Sequence, residues 1–236
     1  MKNIIIISGV ILITILIQSC TKEVDNAIRD IDGNVYKTIK IGNQIWMAEN
    51  LKTTKYNDGT TSIPLVTDNK WYTLSAPGYC WYNNDESGNK NTFGAMYNWY
   101  VVDVNSNGGK NVCPSGWHIP TEKEFSALTT FLGGLSIAGG KLKSTGTIEG
   151  GDGLWNSPNE GATNESGFTA HPGGDRSGID GSTYGIMGQS GEFWSSTQSI
   201  YNPNAGRQLS MYYHVIYAEI NNAVKELGIS VRCVKD

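Results

Sequence analysis

Between Gly139 and Gly191 the chain runs for about fifty residues without sustained hydrophobic periodicity, and glycine recurs throughout. That stretch argues against a helical bundle, because neither helical nor strand spacing persists long enough to build one. A structureless spacer of such length is uncommon inside a compact domain, so the region reads as structured loops that carry function. Composition points the same way. The 29 glycines accompany 7 tryptophans and 12 tyrosines, a mixture suited to turn-rich structure around aromatic packing. Apolar and aromatic content is too high for disorder.

The N-terminal end decides where such a domain would work. Lys2 is followed by an apolar run from Ile4 to Ile17, diluted by Ser8, Gly9 and Thr14, which ends in Gln18-Ser19-Cys20. One positive charge, a short apolar run and a small residue before cysteine describe a secretory leader, and the run is too short for a spanning helix. The ending resembles a bacterial lipobox. The resemblance implies cleavage before Cys20 and lipidation of that cysteine with palmitate-type chains. Several buried tails, at about 0.8 kcal/mol per methylene, anchor a protein stably. The expected organisation is a signal peptide at 1–19, a tether at 20–29 and one domain at 30–236. Thr21, rather than Asp, and the short Lys22-Glu23 cluster point to the outer membrane, facing the periplasm or the cell surface.

Removing 19 of the 236 residues leaves 217, ample for one core. Loss of Lys2 takes the formal net charge from −4 to −5. No basic stripe exists to neutralise phosphates, which excludes nucleic acid as a partner class. Export permits disulfides. The expected pair is Cys113 with Cys233, since each lies in a short apolar context that reads as a strand or strand end. Cys80, between Tyr79 and Trp81, reads as a buried free thiol.

Local patterns predict a hairpin from Val35–Ile41 and Gln44–Ala48 around Gly42-Asn43. Tyr79–Tyr82 reads as a short aromatic strand ended by Asn83–Gly88. Phe93, Met96, Tyr97 and Tyr100 fall at helical spacing, which predicts a helix over Thr92–Val102. Thr121 and Glu124 have the form of a capping box, predicting a helix from Glu122 to about Leu132, stopped by Gly133-Gly134. Strands are expected at Gly167–Ala170, Glu192–Thr197, Arg207–Ile220 and Gly228–Val234.

Several stretches together resemble one family. They are Ile45-Trp46-Met47-Ala48-Glu49-Asn50-Leu51, Tyr97-Asn98-Trp99-Tyr100, Cys113 through Thr121, Ala138 through Lys143, Ala162 through Phe168, Phe193-Trp194-Ser195-Ser196-Thr197 and Ser230 through Lys235. In this order they are similar to the Fibrobacter succinogenes major paralogous domain, over roughly residues 30–236. The resemblance implies an exported domain, often a lipoprotein, and no established activity. A weaker likeness, carried by Ile119-Pro120-Thr121-Glu122-Lys123-Glu124-Phe125, Gly191–Trp194 and Ser230-Val231-Arg232, is to sulfatase-modifying (formylglycine-generating) proteins. It implies an α+β, C-type-lectin-like fold: small antiparallel sheets flanked by two helices, with long irregular loops.

The chemistry legible in the sequence favours recognition over catalysis. The formylglycine-generating enzymes use a late pair of cysteines, whereas here Cys233 stands alone in that region. His118, His171 and His214 have no metal-ligand spacing. Calcium lacks a clear motif, because Asn156-Ser157-Pro158-Asn159-Glu160 and Asn202-Pro203-Asn204 lack the acid before proline. No nucleophile elbow surrounds Ser195-Ser196. Aromatic residues in Gly/Asn-rich loops suit stacking on sugar rings, with Trp71, Trp155, Tyr184 and Tyr201 as candidates, whereas Trp46, Trp99, Trp117 and Trp194 read as core. The expected ligand-binding set is Trp155, Asn156, Asp175, Arg176, Tyr184 and Tyr201. The expected function is that of a non-catalytic binding or adhesion module for a glycan or protein, with no cofactor and with a membrane contact through its lipid. The alternative is a structural cell-envelope or secretion-associated assembly protein, with a formylglycine-generating-like or glycan-active enzyme the less favoured reading.

Overall fold

The computed structural model describes residues 27–236. The expected signal peptide, Cys20 and the expected tether as far as residue 26 lie outside the described residues. Among those residues, no helix is long and apolar enough to cross a membrane.

The chain folds as an α+β domain of small antiparallel sheets. Strand β1 (Ile28–Arg29) pairs with β2 (Val35–Tyr36), so the expected tether gives up its last two residues to a strand. Strand β3 (Thr38–Ile41) and β4 (Gln44–Met47) form the predicted hairpin, closed by Ile41 opposite Gln44, with Gly42 at φ 61° in the turn. Strand β5 (Tyr79–Cys80) leads to helix α1 (Glu86–Phe93), where a turn was expected. Asp85 caps α1 by accepting from the Gly88 N–H.

The helix expected over Thr92–Val102 breaks into three parts. Gly94 ends α1 at φ 74°, and a Cβ there would meet the Leu51 carbonyl at 2.6 Å. Met96–Tyr97 forms β6 and pairs with β5, and only Trp99–Val102 is helical again (α2). The helical spacing of Phe93, Met96 and Tyr97 arises because all three are buried, through different elements.

After β7 (Trp117–His118) comes α3 (Glu122–Phe131), opened by the predicted capping box: Thr121 Oγ1 accepts from the Glu124 N–H and Glu124 Oε2 accepts from the Thr121 N–H. A further helix, α4 (Leu135–Leu142), follows Gly133-Gly134, so the described residues hold four α-helices rather than two. The longest strands come late: β8 (Ser190–Gln198), β9 (Ala205–Tyr212) and β10 (Ala218–Val224) form an antiparallel sheet in the order β10-β9-β8. Gly167–Ala170 contributes only a bridge from Ala170 to Lys143. Strand β11 (Val234–Lys235) inserts between β4 and β7, within the sheet of the β3–β4 hairpin.

Two apolar cores flank the late sheet. Phe193, Leu209, Met211 and Ala218 pack with Phe125 and Leu128 of α3 and Ala138 and Leu142 of α4. Trp194 and Ala223 pack instead with Trp99, Tyr97 and the buried Cys113–Cys233 disulfide. Cys80 is a buried free thiol, pushed up to about 11 by burial.

The loops are braced from inside by buried cations. Their backbone carbonyls have few ladder partners and must be satisfied in another way. Lys143 gives its three ammonium protons to the carbonyls of Glu160, Tyr212 and Val215 at 2.9, 3.1 and 2.9 Å. Arg176 binds the carbonyls of Gly181, Val66 and Asp68. Arg232 binds those of Phe168 and Thr169 and the Asn50 side chain. Each cation also lies against an aromatic face: Lys143 over Trp155, Arg176 over Trp71 and Tyr184, Arg232 over Phe168 and Phe193.

Candidate functional site

Residues 199–204 join β8 to β9 and fold upon themselves. Ser199 Oγ accepts from the N–H groups of Tyr201 and Asn202, both at 3.2 Å, and Asn202 Oδ1 accepts from the Asn204 N–H at 2.9 Å. Short polar side chains thus hold the turn backbone. This leaves the large side chains outside: Ile200 and Tyr201 are 86% and 85% exposed.

Beneath this tip lies the start of α3. The Glu122 N–H donates to Thr197 Oγ1 at 2.9 Å, which docks the helix N-terminus on β8. Arg207 of β9 reaches across, with Nη2 2.9 Å from Glu122 Oε1 and 2.9 Å from the Ile220 carbonyl, and with Nη1 2.8 Å from Asn222 Oδ1. Its Nε–H is buried without a partner. Glu122, Ile200, Tyr201 and Arg207 line a cavity of about 290 Å³. The cavity offers an aromatic face, an aliphatic side chain, a carboxylate and a guanidinium group. Its lining contains no nucleophile–base pair.

Of the six residues expected at a binding site, the structure brings only Tyr201 to this cavity. Trp155 is fully buried, with its indole N–H donating to the Ala170 carbonyl at 3.1 Å, and is therefore no exposed loop aromatic. Trp71 is likewise buried, donating to the Glu226 carbonyl at 2.6 Å. Arg176, at 1% exposure, spends its guanidinium on loop carbonyls and offers none of it to a ligand. The reason is common to all three: a loop region this long still needs its own core, and its largest side chains supply it. Tyr184 is half-buried beside Tyr82 and donates to Asn84 Oδ1 at 3.1 Å. Asn156 is half-buried, its N–H bonded to the Gly188 carbonyl at 2.8 Å. Asp175 is half-buried beside Gly185, and burial raises its carboxyl above the usual range.

Glu122 and Arg207 were missed because each read as an ordinary element residue. Their meeting spans 85 positions and depends on how α3 docks. The Asn159 side chain donates to the Ser144 and Gly146 carbonyls, and Asn202 works within its turn. His118 bridges Glu124 and Asp236 at 2.8 and 2.6 Å. His171 donates from Nδ1 to the Thr92 carbonyl, and His214 packs on Tyr213. The described residues contain no group of three or more His, Cys, Asp or Glu side chains that could hold a metal ion.

Fold and site together define a small-sheet α+β domain with internally braced loops and one exposed aromatic tip over a polar cavity. Residues 39–235 match the model described as the Fibrobacter succinogenes major domain, and the chain belongs to that family. The matched span starts within β3 and ends in β11, so it takes in the hairpin, all four helices and the late sheet. Neither a curated protein nor a solved structure matches the chain.

Proposed function

We propose that this chain is a lipid-anchored, extracytoplasmic binding module that takes a glycan at the Tyr201 cavity. The observation that carries the reading is an 85% exposed tyrosine beside a cavity whose other polar wall is the Glu122–Arg207 pair. Sugar rings present apolar faces with polar edges; a tyrosine ring covers the first, and a carboxylate beside a guanidinium group meets the second. The volume suits one sugar ring or the end of a chain rather than a long groove. The architecture supports a C-type-lectin-like reading, since the β3–β4 hairpin and the last strand share one sheet and long loops surround the late sheet.

Acylation of Cys20 is the anchoring step. Seven residues separate Cys20 from β1, a reach of at most about 25 Å when fully extended. The domain would therefore work close to the bilayer.

The test is retention of the chain from residue 20, carrying Cys20→Ser, on a panel of immobilised bacterial and host polysaccharides. Tyr201→Ala is expected to weaken retention at least tenfold with an unchanged melting temperature, because so exposed a ring contributes little to folding. Absence of retention on every polysaccharide, or equal retention of the variant, would reject the reading. Exposed Ile179 and Ile186, on the 171–188 loop, favour a second reading as an assembly protein that docks a protein partner there. In that case co-purified envelope protein would be lost on Ile179→Ser/Ile186→Ser and kept with Tyr201→Ala.

A further inference from the structure

The opposite face of the late sheet carries a second, different arrangement. Cross-strand register places Glu192 of β8 and Glu219 of β10 on either side of Ser210 in β9. The next rows set Trp194, Gln208 and Asn221 side by side, and Ser190 opposite Tyr212. Side chains alternate across a strand. These residues therefore share one face, while Phe193, Leu209 and Met211 face α3 and α4. Asp175, from the loop that precedes β8, adds a third carboxylate. Its charge acts on Glu192, and all three carboxylates act on the Tyr212 phenol.

The charged groups in this row are all carboxylates, and the donors facing them are neutral amides and hydroxyls. Among the described residues no lysine, arginine or histidine pairs with Asp175, Glu192 or Glu219. Asn221 Nδ2 already serves Ser210 Oγ and Glu219 Oε2, and its Oδ1 is buried without a partner. Gln208 is only 5% exposed, and its Oε1 is also unpartnered. Two orphaned amide oxygens on adjacent strands, within a row of carboxylates, mark a place built to receive donors. Tyr212 remains half-exposed beside them and offers its ring.

We propose that this face is a binding subsite for an organic cation, an ammonium or guanidinium group held by Asp175, Glu192 and Glu219 against Tyr212. Such a group supplies several N–H donors and the missing positive charge at once. Glu192 and Glu219 lie two strand spacings apart, roughly 10 Å at the backbone. That separation suits a forked or alkyl-linked cation and not a single bare ion with ligands at about 2.3–2.6 Å. Burial, and then the charge of Asp175, push Glu192 up to about 7, with hydrogen bonds from Ser190 and Gln208 pulling it back. A bound cation would relieve both effects. The subsite is independent of the Tyr201 cavity, because Arg207 and Gln208 are adjacent in β9 and point to opposite faces.

Agmatine titrated into the Cys20→Ser chain tests this by calorimetry and by shifts of the Tyr212 ring resonances. Saturable binding is expected, weakened at least tenfold by Asp175→Asn and by Glu192→Gln. Glu219→Gln, on a half-exposed strand residue, supplies a variant that keeps the fold if a buried change does not. Tyr201→Ala should bind agmatine as the parent does, which separates failure here from failure of the glycan site. Lack of saturable binding, affinity indifferent to all three carboxylate variants, or equal occupancy by glucose or calcium chloride would overturn the proposal.

Discussion

Replacing Arg176 by methionine tests the claim that buried cations hold the loops in place. The side chain is 1% exposed and donates to the carbonyls of Gly181, Val66 and Asp68 at 2.9, 2.5 and 2.6 Å. A hydrogen bond from a charged donor is worth about 1.5–3 kcal/mol net, and a carbonyl left unpaired costs about 1–3 kcal/mol. The contacts to Val66 and Asp68 are part-buried, so their carbonyls can regain water, while the Gly181 contact is buried. Stacking at 4.7 Å over Trp71 and 5.4 Å over Tyr184 adds about 1–2 kcal/mol. Relief of guanidinium dehydration offsets part of the sum. The expected loss is about 4 kcal/mol. With a urea dependence of about 2–3 kcal/mol per molar, the unfolding midpoint falls by roughly 1.3–2 M. Hydrogen exchange should rise first at 66–68 and 177–183, ahead of the late sheet. Arg176→Lys should recover less than half, because an ammonium cannot reach three divergent carbonyls as a fork does. A loss below about 1 kcal/mol, with unchanged exchange in both loops, would refute the bracing argument. Unchanged polysaccharide retention at the Tyr201 cavity would separate this role from ligand contact.

Cleaving the Cys113–Cys233 bond, by reductant or by a double alanine variant, releases a loop closed over 120 positions and should cost about 4–5 kcal/mol. Calorimetry should show a melting point lower by roughly 10–15 °C; an unshifted endotherm would mean the rest of the fold already restrains that loop. His118 gives a pH-dependent test. Burial lowers its pKa, but hydrogen bonds with Asp236 and Glu124 raise it more, leaving it above the ordinary 6.5. A folded pKa above the unfolded one contributes stability that is full below the unfolded value and is lost as pH rises through the folded value. Glu124 is shifted the other way: burial raises it, while hydrogen bonds from Thr121 and His118 lower it further, so its share is lost on acidification. The melting-point gap between the parent and His118→Asn should be widest near pH 6 and shrink by pH 8; a gap that is flat or grows with pH would contradict this.

Local chemistry was readable where its partners are near in sequence. Thr121 and Glu124 sit three residues apart and form the reciprocal cap their types imply. Gly42-Asn43 turns the hairpin as read, although the expected strand from Val35 divides at Lys37 because Val35–Tyr36 pairs with β1 instead. Cys113 and Cys233 could be paired since three cysteines follow Cys20 and two stand in apolar contexts. Periodicity misled at Thr92–Val102, where Leu51 and Asn50 crowd Gly94 and the β5 strand captures Met96–Tyr97. Trp71 and Trp155 show the same limit for the site: a loop setting suggests an exposed ring, and the path of distant segments buries both.

Composition and short motifs by themselves determined a turn-rich α+β chain of this family, with its best helix start, best hairpin and sulfur pairing. Those properties depend on residues a few positions apart, or on residue type alone. Tertiary structure alone decided which large side chains face water, which cations hold loop carbonyls, and that Glu122 meets Arg207 beneath Tyr201. Each of these is a contact between segments far apart in the chain, set by how α3 and the loops dock on the late sheet, and no local pattern encodes that geometry.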